Sequence, residues 1–137
     1  MKTFAQLTGR EKGIELLRWM GVLPAAGVGL LTGYFMAGVL LGLAAALRIV
    51  GPPSDFGWNR LLRYVIWLFP MGALFVLAGA LTAPRWRLAV AGVLAVFWIA
   101  WTGKVHGWGY EAVTGAVIGS AAGAAYVGWA KRTEPKI

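Results

Sequence analysis

At 137 residues, 59% of them hydrophobic and only 13% charged, the chain is too apolar for an ordinary soluble domain, which carries about 25% charged residues. A net charge of +8 would point to nucleic acid in a soluble protein. Here Lys and Arg cluster at the ends of apolar stretches, where topology and anionic lipid head groups call for them, so nucleic acid is set aside as a partner. With no cysteine, the sequence excludes disulfides, thiolate metal sites and thiol catalysis.

Residues 1–18 are polar, with Phe4, Leu7, Ile14 and Leu17 at loosely helical spacing. Gly9 and Gly13 weaken a helix there by about 1 kcal/mol each relative to Ala. A short interfacial helix and a frayed tail both remain open. The segment is expected to be cytoplasmic and does not read as a signal peptide. Glu11 and Glu15 stand among its basic residues, and the apolar run that follows exceeds the roughly 7–15 residues of an h-region. No lipidation motif is visible.

The first apolar helix is expected from about Trp19 to Leu47, ending before Gly51-Pro52-Pro53, with Pro24 near its start. At about 1.5 Å per residue it exceeds a hydrocarbon core of roughly 30 Å and must tilt or begin in the interface. A turn-rich connector leads to a second helix over about Arg60–Thr82, which Pro70 should bend by freeing the carbonyl of Ile66. Ala83-Pro84-Arg85 reads as a tight turn with Pro84 opening a short third helix, about Trp86–Thr102. Gly103–Gly109 is the last connector, and the fourth helix covers about Tyr110–Ala130 before a polar tail, 131–137. The fold class is therefore all-α: a polytopic membrane protein, a bundle of four transmembrane helices spanning 19–130.

Four crossings place nine of the thirteen Lys and Arg on the side of the termini and the second connector. Arg48, Arg60, Arg63 and Lys104 lie on the other side. The positive-inside rule puts both termini in the cytoplasm. Tryptophans form the two belts that four spans should produce: Trp19, Trp86 and Trp129 at one side, and Trp58, Trp67, Trp98, Trp101 and Trp108 at or near the other.

In lipid, helices associate where small residues let backbones approach. Gly115, Gly119 and Gly123 recur every four residues in the fourth helix, in the manner of a glycine zipper. Gly21, Ala25, Gly29, Gly33 and Ala37 do so in the first. A four-residue period drifts by about 40° per step on a 3.6-residue helix, so only about two steps can face one partner. These rows should pack against neighbours, with each other as one option, either inside the chain or between chains.

Chemistry is sparse. Thr32, Tyr34, Thr114, Ser120 and Tyr126 are the polar groups at depth, and such hydroxyls commonly bond to a neighbouring helix or to their own backbone. Sole among histidines, His106 sits in a connector near Glu111. One histidine supplies at most one ligand, so no metal, haem or other cofactor is assigned, and no catalytic residue. Glu111 suits the first turn of the fourth helix, where the dipole favours a carboxylate. Arg60 and Arg63 stand against the dipole at the start of the second helix. They snorkel to lipid phosphates, or meet Asp55, Glu111 or a partner's acids. The patch for partner or lipid contact is Asp55, Trp58, Arg60, Arg63, His106, Trp108 and Glu111, which the topology gathers on one face.

The stretches Leu17-Arg18-Trp19-Met20-Gly21-Val22-Leu23-Pro24-Ala25-Ala26 and Ala83-Pro84-Arg85-Trp86-Arg87-Leu88-Ala89-Val90 resemble those of small four-helix bacterial inner-membrane proteins of unknown function. The resemblance implies a multi-pass inner-membrane protein and brings no catalytic residues. The expected role is a non-catalytic accessory, structural or assembly subunit of a larger membrane complex, its partners being lipid and other membrane subunits or itself. A small homo-oligomeric transporter or channel is the alternative, and a lipid-modifying or redox enzyme comes third.

Overall fold

The computed structural model describes residues 4–52 and 57–133. After a 3-10 turn, Phe4–Gln6, four helices follow: α1, Gly9–Ala46; α2, Trp58–Thr82; α3, Arg87–His106; and α4, Tyr110–Thr133. Each is long and apolar enough to cross a membrane.

The first helix begins ten residues before the expected Trp19. Thr8 caps it: its hydroxyl accepts from the Glu11 backbone N–H, and the Glu11 carboxylate accepts from the Thr8 N–H at 2.8 Å. This capping box satisfies two otherwise orphaned donors and carries the helix through Gly9 and Gly13. At 38 residues α1 is roughly 57 Å long. Pro24 therefore lies inside the helix rather than near its start, and removes a backbone bond to Met20. The end of α1 is a Schellman motif: Arg48 N–H donates to Ala45 O at 3.0 Å and Ile49 N–H to Ala44 O at 2.9 Å, with Arg48 left-handed at φ 57°.

The α2 helix runs unbroken through the buried Pro70. Pro84 does not open α3; Trp86, at φ 56°, is its N-cap, its carbonyl accepting from Val90 N–H at 3.0 Å, and the helix proper starts at Arg87. The α3 helix continues four residues past the expected Thr102 because Gly103 admits the ring of Trp108 and Gly107, at φ 82°, closes the end. His106 is thus in the last turn of α3, not in a connector. The α4 helix extends three residues past Ala130.

The α2 helix is the axis on which the others pack. Antiparallel to it, α1 sets Gly29 against the Leu74 carbonyl and Ala78. A Cβ on Gly33 would stand 2.6 Å from Met71 Cα and Pro70 O. Parallel to it, α4 sets Gly115 on Tyr64 and Leu68, Gly119 on Leu68 and Phe69, and Gly123 on Ala73 and Val76. A Cβ on Gly119 would lie 2.6 Å from the Phe69 carbonyl. At 100° per residue these two sets of α2 contacts fall on roughly opposite sides of the helix. The small rows of α1 and α4 therefore do not meet each other; each faces α2. The drift of the four-residue period is visible too: of the row beginning at Gly21, only Gly29, Gly33 and Ala37 are buried.

The α3 helix packs on α4 and α2. Trp98, read above as an interfacial tryptophan, is a core residue, 4% exposed, beside Phe75. Gly72 makes room for it; a Cβ there would stand 2.6 Å from the indole Nε1. The core joins Leu68, Phe75, Val76 and Ala80 of α2 to Ala26, Leu94, Trp98, Ala116 and Val127. Trp58, Trp86, Trp101, Trp108 and Trp129 remain exposed.

Candidate functional site

Among the described residues, two buried carboxylates, Glu15 and Glu111, sit at opposite ends of the bundle, and each has an arginine. At the end holding the α2–α3 turn, Glu15 of α1 meets Arg85 at 3.0 Å, with side chains 11% and 24% exposed. This pair was missed in the sequence. The signal was available: a lone carboxylate among Ile14, Leu16 and Leu17, at the end where the topology also puts Arg85. A shallow cleft of about 240 Å³ lies beside it, lined by Glu11, Ile14, Glu15, Arg18, Pro84 and Arg85.

At the other end, the first turns of α2 place Arg60, Arg63, Tyr64 and Trp67 at i, i+3, i+4 and i+7, so they share one face. Glu111, 9% exposed at its side chain, pairs with Arg60 at 3.4 Å. The Arg60 guanidinium also lies 5.9 Å from the Tyr64 ring centre. Of the two arginines weighed for Glu111, Arg60 takes it. Arg63 instead donates through Nη2 to the Gly51 carbonyl, while its Nε is buried with no acceptor among the described residues. Asn59 completes the clip on the α1–α2 connector. It accepts from Gly51 N–H at 3.0 Å and donates to Pro52 O at 2.9 Å.

Tyr64 and His106 meet edge to face, with ring centres 6.2 Å apart. With Leu41 of α1, Arg63, Tyr64, Trp67 and His106 line a cleft of about 250 Å³. Tyr34 of α1 packs edge-on against Trp67 at 5.2 Å. A second cleft of about 400 Å³ adjoins the first through Arg63, and is lined also by Ala45, Arg48, Val50, Gly51 and Pro52. Of the expected patch, then, Arg60, Arg63, His106 and Glu111 are gathered around Tyr64. Trp58 is exposed on the first turn of α2, Trp108 lies over Gly103, and Asp55 falls outside the described residues.

Along the helices, three hydroxyls turn to their own backbones. Thr32 bonds Val28 O at 2.9 Å, Thr114 bonds Tyr110 O at 2.6 Å, and Ser120 bonds Ala116 O at 2.7 Å. Thr102 and the Trp98 indole are buried without a partner among the described residues. No group of three His, Asp or Glu side chains gathers among the described residues in a way that could hold a metal. Compared with known proteins, the chain matches no family model, no curated protein and no solved structure.

Proposed function

We propose that this chain is a multi-pass membrane protein serving as a non-catalytic accessory or assembly subunit of a larger membrane complex, with both termini on the cytoplasmic face of the inner membrane. The observation that carries the reading is the one-sided packing of α1. Its inner face is spent on α2, while Gly38 and Gly42 on its outer face have nothing within 4 Å of where a Cβ would be. Leu31, Phe35 and Val39 are exposed beside them. A small-residue face rimmed by large apolar side chains is the surface on which another transmembrane helix can approach closely. The hydroxyls turned to their own backbones and the two neutralised carboxylates agree with a structural rather than a translocating role. The same open face also fits a second copy, which keeps the homo-oligomeric transporter or channel as the second reading.

Purification in mild detergent, with mass spectrometry of wild type beside Gly38→Leu and Gly42→Leu, separates the two. Stoichiometric foreign membrane subunits that are lost in both variants support the accessory role. A self-assembly without other chains supports the second reading, and a bound chromophore overturns both in favour of an enzyme. Membrane fractionation with single-cysteine labelling at each terminus tests the insertion and orientation.

A further inference from the structure

At the connector end of the bundle, Arg63 is an arginine with no carboxylate partner among the described residues. Arg60 is neutralised by Glu111, whereas Arg63 bonds a backbone carbonyl and holds its Nε buried without an acceptor among the described residues. A buried donor of this kind is costly unless something fills the site. Three further residues able to donate a hydrogen bond, Tyr64, Trp67 and His106, line the same cleft.

A second, independent observation comes from Arg48. It occupies the C′ position of the Schellman motif at φ 57°, the position glycine normally takes because a Cβ is disfavoured there. An arginine held in a conformation it does not prefer is a pointer to function. Arg48 lines the cleft that adjoins the first, and Arg63 is the wall common to both. The walls are otherwise apolar or aromatic: Leu41 and Trp67 on one side, Ala45 and Val50 on the other.

We propose that Arg48, Arg63, Tyr64 and His106 form a binding site for the phosphate of a net-anionic phospholipid, whose chains lie against Leu41 and Trp67. Guanidinium groups bind phosphate through charge-assisted hydrogen bonds, and an aromatic wall suits the level at which head group gives way to acyl chain. A zwitterionic head group brings a choline cation to a cleft that already holds two arginines, and is disfavoured. The site rests on the reading of the chain as a membrane protein but not on its accessory role.

The test is a lipid titration of the purified full-length chain in detergent, followed by native mass spectrometry, with phosphatidylglycerol, phosphatidylcholine and inorganic phosphate as probes. The wild type should prefer phosphatidylglycerol over phosphatidylcholine by about tenfold, and Arg63→Gln should erase that preference. Arg48→Gly should weaken it by about threefold while leaving the melting temperature unchanged or raised, because glycine relieves the left-handed backbone. Loss of binding there cannot be laid to misfolding. Lys104→Gln, basic and exposed at the same end but outside both clefts, should bind as wild type does. Equal binding of the two lipids by the wild type would overturn the proposal. So would a preference that survives in both Arg63→Gln and Arg48→Gly, or displacement of phosphatidylglycerol by millimolar inorganic phosphate, which would assign the clefts to a soluble anion.

Discussion

Two sets of glycines on the same helix have opposite surroundings. Gly29 and Gly33 of α1 lie so close to α2 that a single methyl group would overlap its backbone, whereas Gly38 and Gly42, within the next three turns, face open space. Composition does not distinguish them; their place on the helix circumference does. Glycine spacing therefore marks faces able to approach, and the tertiary contact decides which of them is used. The α4 helix shows the used case throughout, with Gly115, Gly119 and Gly123 all seated on α2.

The sharpest way to break this comparison is to put the same side chain at both kinds of position. Gly33→Leu and Gly119→Leu force backbone apart from backbone, which flexible side chains cannot relieve. Each should cost about 3 kcal/mol or more and destroy the monodisperse bundle on size exclusion in detergent. Wild-type elution and melting of both would refute the seating.

The ion pairs sharpen the picture at the ends of the helices, because they fasten α1 and α4 where the glycines do not reach. Arg85→Gln leaves the buried Glu15 unpaired and should cost about 2–3 kcal/mol. Arg60→Gln should cost less, about 1 kcal/mol, since Arg60 is 45% exposed and its pair with Glu111 is partly screened. Thermal unfolding of the two variants in one detergent orders them. The swap Arg60→Glu with Glu111→Arg should recover part of the loss, whereas Arg63→Glu with Glu111→Arg should not. Rescue in the second swap but not the first would reassign the partner.

Smaller still is the cap. Thr8→Ala should cost about 1 kcal/mol, read as faster amide exchange in the first turn of α1 and nowhere deeper. Smallest of all, Gly42→Leu should leave the unfolding free energy of the isolated chain within about 0.5 kcal/mol of wild type, read from thermal unfolding.

The hydrophobic runs make the four helices legible, and the four-residue spacing marks the glycines as points of close approach. Other features are not local in the chain. Whether Gly119 sits on α1 or α2 depends on the order of helices around the bundle, which no single stretch encodes. The choice between Arg60 and Arg63 for Glu111 turns on roughly 60° of rotation about α2. Trp98 reads as interfacial because indoles favour interfaces, and only Gly72 on another helix makes its burial feasible. The early start of α1 was legible: Thr8-Gly9-Arg10-Glu11 is a capping box, overshadowed by two glycines that weaken the helix. Arg63, the buried guanidinium of the proposed lipid site, was legible only as a candidate, since it is set apart from Arg60 once Arg60 has taken the acid.

The claim on which the rest depends is that α2 lies between α1 and α4. The chain has no native cysteine, so pairs can be introduced cleanly. Tyr34→Cys with Trp67→Cys joins α1 to α2, Arg60→Cys with Glu111→Cys joins α2 to α4, and Ala37→Cys with Ala116→Cys tests the two outer helices from buried positions. Cross-linking in membranes with a short bis-thiol reagent should close the first two pairs and leave the third open. A third pair that closes while the first stays open would contradict the arrangement.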